Sequence, residues 1–194
     1  MVLNNVTGER VVTLIGTGDG KGDRLAADLR VRPGGGVVGE HYHPSLTERF
    51  RIVAGRLQVN LDGDRRILET GADVTIPPGM VHDWSNASRE EEARVLVDVA
   101  PGRRFELMVT TLFGLANDGK TNAKGLPRPA QLAVLAEEFA DIVRFTKPPV
   151  AVQKLLFGPL ALIGRARGYR GFYPEYLEPD GHEEPDPELL ALVQ

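Results

Sequence analysis

The 194-residue chain holds four histidines and no cysteine. Without cysteine there is no disulfide framework, thiolate metal site or thiol nucleophile, so any metal must rest on His, Asp or Glu. Three of the histidines fall inside two ordered patterns. In the first, Gly35 is followed after five residues by His41-Tyr42-His43, after four more by Glu48, and after six more by Gly55. In the second, Gly71 is followed after five residues by Pro77-Pro78-Gly79, after two more by His82, and after three more by Asn86. On a strand, residues two apart share a face, so His41 and His43 present their imidazoles together. Glu48 has the parity of Phe50 and Ile52, which turns its carboxylate inward, and His82 shares a face with Trp84. Three imidazoles and one carboxylate facing a barrel interior are costly without a partner. A divalent cation resolves the cost, because it takes neutral imidazole and ionised carboxylate as ligands. About two coordination positions would stay open for water, substrate or dioxygen.

The elements that must position these groups change character near residue 103. Before it, short alternating segments are separated by turn signals. Leu25, Ala27, Leu29 and Val31 alternate with Arg24, Asp28, Arg30 and Arg32, which is the period of a half-buried strand. Further strands carry Phe50 and Ile52, then Leu57, Val59 and Leu61, then Arg66 to Leu68, with Asp62-Gly63-Asp64 as a hairpin turn. Val74 and Ile76, then Val95, Val97 and Val99, complete the series. Gly55 and Gly79 suit tight bends with positive φ, and Pro77 and Pro78 fix the turn before His82. Many short strands with no helical pattern between them make a sandwich or barrel.

Beyond Pro101 the period lengthens. Phe105, Met108, Leu112 and Leu115 recur at helical spacing and stop at Asn117-Asp118-Gly119. A second helix is expected from Pro129 to about Phe145, and a third from Val150 to Phe157, ending at Gly158-Pro159. Their apolar stripes fit packing against the β unit, with a dimer contact or a lid over a pocket as the alternative. From Pro174 to Gln194 there are seven acidic residues, four prolines and no Lys or Arg, the composition of an extended or disordered acidic tail. His182 lies in that tail and is expected to be solvated.

The two patterns resemble the paired motifs of the cupin superfamily. Every defining position of both is filled, with 15 residues between them. The resemblance implies a mainly β fold, a cupin double-stranded β-helix or jelly-roll barrel over residues 1–102. A C-terminal α-helical extension (103–173) and the acidic, Pro-rich tail (174–194) then follow. It also implies that His41, His43, Glu48 and His82 are ligands to one divalent ion (Fe, Mn, Ni, Co or Zn). The activity it implies is that of a metal-dependent oxygenase, a dioxygenase, acting on a small organic molecule. Glu48 would serve either as a permanent ligand or as a general base that accepts a substrate proton. A non-catalytic small-ligand binder, and an isomerase, lyase or cyclase that uses the metal only as a Lewis acid, are the alternatives. A homodimer is expected, since jelly-roll edges invite pairing.

Parity places Phe50, Ile52, Leu57, Val59, Trp84, Val95 and Val97 inward as candidate pocket residues. Such a lining suits an apolar or aromatic substrate better than a phosphorylated sugar. With 23 basic against 27 acidic residues, bulk electrostatic binding to nucleic acid is not expected. The N-terminus lacks the order of a signal peptide, and the apolar stretch Val150 to Gly164 is interrupted by Gln153, Lys154 and Pro159. The chain is therefore expected to be soluble and cytoplasmic, without membrane contact. The Gly-rich run from Gly16 to Asp23 has neither phosphate-loop nor dinucleotide spacing and reads as a connection between strands.

Overall fold

In the computed structural model, all residues except 21, 38, 179, 180, 182 and 194 are described. His182 therefore lies outside the described residues. Among the described residues, ten strands form before residue 101: β1 (Val2–Leu3), β2 (Arg10–Ile15), β3 (Leu25–Val31), β4 (His41–Tyr42), β5 (Thr47–Ala54), β6 (Arg56–Leu61), β7 (Asp64–Glu69), β8 (Asp73–Ile76), β9 (His82–Asn86) and β10 (Ala93–Ala100). An eleventh, β11 (Arg144–Phe145), comes from the helical region. One antiparallel sheet runs β1-β2-β3-β10-β5-β8 and a second runs β11-β4-β9-β6-β7. This is the mainly β, double-sheet jelly roll that the cupin resemblance implied, and it is built from the short strands that the alternation predicted. The β6–β7 hairpin turns on Asp62 and Gly63, both at positive φ (50° and 90°), the two-residue geometry whose twist matches the flanking strands.

The faces follow parity. Phe50, Ile52, Leu57, Val59, Ile76, Val95 and Val99 are buried in one cluster between the sheets. Register carries the two histidine patterns together: His41 of β4 pairs directly with His82 of β9. Gly79, at φ 84°, donates its amide to the carbonyl of His43 (2.8 Å), so the turn before His82 is tied to the first motif. Asn86, the last residue of the second pattern, is a structural clamp. Its amide nitrogen donates to the carbonyls of Val31, Arg32 and Glu91, and its oxygen accepts from the Ser88 amide.

Among the described residues, three longer helices follow the barrel before the acidic segment. The first, α1 (Arg103–Asn117), matches its apolar period and stops at the expected Asn-Asp-Gly. The second, α2 (Pro129–Glu138), ends earlier than the stripe suggests. The Phe139 carbonyl accepts the amides of both Ile142 and Val143 (2.9 Å each), and this turn keeps Ile142 in the core. Extended chain at Arg144-Phe145 then pairs as β11 with β4, covering an edge of the smaller sheet. The third, α3 (Val150–Ala166), runs straight through Gly158-Pro159, where a stop was expected. An interior proline costs about 3 kcal/mol. Packing on α2 offsets that cost: Ala161 is fully buried against Ala133 and Val134, and a Cβ on Gly164 would stand 2.7 Å from the Ala130 carbonyl. No helix among the described residues is long and apolar enough to cross a membrane.

The acidic segment is not simply extended. Pro174–Tyr176 forms a single 3-10 turn, and α4 (Pro187–Val193) is a helix that sets Leu189 and Val193 against Leu14, Ile15, Ala26 and Leu96 on the outer face of the larger sheet. Asp186 accepts the Glu188 amide in its first turn and pairs with Arg94 (2.9 Å), while Glu183 pairs with Arg30 (2.6 Å). The net acidity of the segment hid a short amphipathic pattern that the sheet's own arginines neutralise. Leu189→Ala is expected to lower the unfolding free energy by about 2 kcal/mol, the low end for a buried leucine truncated in a shallow site. Urea denaturation measures it, and no loss would mean that α4 is not docked in solution.

Candidate metal centre

His41 and His82 stand on adjacent strands of the smaller sheet, His43 follows one residue after β4, and Glu48 reaches across from β5 of the larger sheet. All four are buried. One nitrogen from each of His41, His43 and His82 lies within 4.8 Å of the others. The ring centroids are 4.3 Å apart for His41 and His82, and 5.1 Å for each of the other two pairs. Glu48 Oε2 sits 3.2 Å from His82 Nε2 and 3.6 Å from His43 Nε2.

The outward nitrogens are all engaged. Nδ1 of His41 meets the Gly39 carbonyl (3.2 Å), that of His43 the Ile142 carbonyl (2.7 Å), and that of His82 the Met80 carbonyl (3.0 Å). A carbonyl only accepts, so each Nδ1 carries the proton and each Nε2 is left with its lone pair turned inward. Backbone partners of this kind fix ring orientation in histidine metal sites. The inward atoms lack such partners: His43 Nε2, His82 Nε2 and Glu48 Oε2 are buried without a hydrogen bond of sound geometry. Orphaned buried donors of this chemistry fit a divalent cation, which satisfies them at once.

The electrostatics agree. Burial, reinforced by His82 and His43, pushes the His41 imidazole down to about 4, so it is neutral. Burial alone would raise Glu48, but the His43 and His82 rings beside it reverse this and hold it at about 2, ionised. For His82, burial pulls down, while Glu48, the Met80 carbonyl and Asp83 together pull up and leave a net rise.

The cluster opens onto a cavity of about 290 Å³ whose walls are overwhelmingly apolar. Of the seven pocket residues expected from parity, Trp84 and Val97 line it. Phe50, Ile52, Leu57, Val59 and Val95 do not. They interdigitate in the solid core between the sheets, each 1% exposed or less, and Phe50 packs edge-on to Trp84 at 6.2 Å. The parity was right and the depth was not, because inward residues of two facing sheets fill one half of the barrel completely. The open half is walled by Leu25, Ala27 and Leu29 of β3 and by the helical extension. Phe105, Met108 and Leu112 of α1, Leu132 and Leu135 of α2, and Phe139, Val143 and Phe145 after it all face the space. These are the residues sequence reasoning missed. Their signal was the helical apolar stripe itself, which does not say whether it faces a core or a void. The extension also reaches the cluster, since the His43 partner Ile142 belongs to it and Phe105 stands edge-on to His43 at 5.8 Å.

Residues 27–99, which contain both histidine patterns, match the family model of the cupin domain. The chain carries a cupin domain. Over 71 residues, 37% of its length, it is 39% identical to Polyketide synthase CurC of Streptomyces cyaneus, of which the match covers 45%. It is 37% identical, again over 71 residues, to Protein SchB of Streptomyces halstedii, of which 50% is covered. The chain thus spans about half the length of the curated relatives it matches. Among solved structures, KdgF from Halomonas sp. is similar at 21% identity and a TM-score of 0.42, covering 52% of this chain and 83% of that one. TT1209 from Thermus thermophilus is similar at 20% identity and a TM-score of 0.44, covering 51% and 89%. The helical wall of the cavity lies outside the matched cupin region.

Proposed function

We propose that the chain is a metal-dependent cupin enzyme, an oxygenase acting on a small, largely apolar or aromatic molecule that can enolise. The observation that carries this reading is one apolar cavity with a buried three-histidine, one-carboxylate cluster in its wall. His41, His43 and His82 would hold the ion, with Glu48 as a fourth ligand or as the base beside it. A divalent ion there supplies Lewis acidity toward an anionic oxygen and, if redox-active, a path for electrons to dioxygen. The chain's own residues do the remainder. Phe105, Trp84 and Leu112 present flat and aliphatic walls to the substrate and keep water from it. Ionised Glu48, at the cavity wall, is placed to accept a proton from an acidic carbon or hydroxyl. A redox-neutral cyclisation or isomerisation by the same groups is the second reading, favoured by the polyketide synthase named among the relatives, because polyketide chains are rich in enolisable carbonyls.

Oxygen uptake separates the two. Protein loaded with Fe(II), Mn(II), Ni(II) or Co(II) is expected to consume oxygen with at least one member of a panel of aromatic enols and catechols. No uptake with any of them, combined with metal-dependent conversion under anaerobic conditions, would overturn the oxygenase and establish the Lewis-acid reading.

A further inference from the structure

The cavity has a second polar end. Glu9, one residue before β2, has the parity of Val11 and Thr13, and all three line the same cavity as His41, His43 and Glu48. Its side chain is buried, 7% exposed, and its Oε2 takes the hydroxyl of Thr7. The turn that presents it is built by Asn4, whose Oδ1 accepts the amides of Val6 and Thr7 (3.0 and 3.1 Å). In the larger sheet β2 lies three strands from β5, and Arg10 beside Glu9 pairs with Arg30 at one end of the strands whereas Glu48 is level with Val99 and Leu25 at the other, so Glu9 and the metal cluster stand about 20 Å or more apart along the sheet. Between them the cavity is walled by apolar side chains such as Leu29, Val97 and Leu112. A carboxyl in such walls is stable only where hydrogen-bond donors reach it. Burial accordingly raises its pKa, with the Thr7 contact and the Arg32 charge pulling the other way.

We propose that Glu9 is the far recognition group of this cavity, accepting a hydrogen bond from a hydroxyl at one end of an elongated, flat substrate whose other end reaches the histidine cluster. The inference rests on the reading of the cavity as the substrate site. It requires polar groups at both ends of an apolar body longer than three fused rings. Glu9 is not a reacting group. It selects which molecule lies across the cavity and in which direction.

The test uses the full chain and three probes: p-terphenyl with one hydroxyl at each end, its mono-hydroxy analogue, and unsubstituted p-terphenyl. Binding is read by calorimetry on metal-loaded and on chelator-treated protein, with metal content measured on the same samples. The loaded wild type is expected to prefer the dihydroxy compound over the mono-hydroxy analogue by about tenfold, the size of one hydrogen bond to a charged acceptor. The chelated protein should keep a similar preference for the mono-hydroxy compound over p-terphenyl, because Glu9 acts away from the metal. Glu9→Gln, which keeps size and the Thr7 contact, should cut the preference to about threefold, since charge-assisted bonds are roughly twice as strong as neutral ones. Glu9→Ala should abolish it with metal content unchanged. Absence of the preference in the wild type, its full retention in both variants, or binding of none of the probes would overturn the proposal. Intact preference in protein that takes up no metal would support it and count against the metal reading alone.

Discussion

Replacing His82 by Ala is expected to strip the protein of stoichiometric metal while leaving the barrel folded. His82 is fully buried, its Nδ1 is held by the Met80 carbonyl, and its Nε2 points into the cluster, 3.2 Å from Glu48. The variant keeps two imidazoles and a carboxylate but opens one side of the site to the cavity. Losing an orienting outer partner already costs about 10–100-fold in metal affinity, so losing a ligand should cost at least the upper figure. Two measurements check it. Elemental analysis of protein purified without chelator should find about one ion per wild-type chain and almost none in the variant. Thermal melting should show the wild type stabilised by added metal, about 2.7 kcal/mol at a hundredfold excess over Kd, and the variant unmoved. Full retention of metal by the variant would sink the assignment of His82 as a ligand.

The second large effect lies on the opposite face of the larger sheet. Asp28 of β3 is buried, 1% exposed, and the guanidinium of Arg94 on β10 grips it with contacts of 2.9, 3.0 and 2.7 Å. Arg30 reaches it only at 3.5 Å, so Arg94 is the partner that matters. The same Arg94 holds Asp186 at the start of α4. Arg94→Ala would leave a carboxylate in the interior without its counter-charge, which costs about 3 kcal/mol or more. It would also loosen α4. Urea denaturation of Arg94→Ala should show that loss with metal content unchanged. Arg94→Met combined with Asp28→Leu should recover most of it, because removing both charges removes the unpaired one. A stability equal to wild type in Arg94→Ala alone would overturn the argument.

The two predictions mark where sequence reasoning reached and where it stopped. The donor set was legible because it obeys rules local to the chain. His41 and His43 sit two apart, Glu48 shares parity with Phe50, and the glycines and prolines around them mark turns at fixed offsets. Strand alternation told inside from outside equally well, as Phe50, Val59 and Val95 demonstrate. Length and end were less legible. Packing on α2 carried α3 through Pro159, and a turn at Phe139 stopped α2 early. The acidic tail concealed α4 because composition averages over charges that particular partners, Arg30 and Arg94, neutralise.

By itself the sequence determined the kind of chemistry available: nitrogen and oxygen donors, no sulfur, on strands whose pleat turns them inward. It determined that much because side-chain parity and turn geometry depend on neighbours a few residues away. Only the tertiary structure decided where the open space lies, that α1, α2 and the segment after them wall it, and that Glu9 closes its far side. It also decided that the Ile142 carbonyl, 99 residues from His43, fixes which nitrogen of that ring faces the cluster. These are contacts between distant segments. They are set by how two sheets and three helices fill a common volume, and no local pattern encodes which part of that volume is left empty.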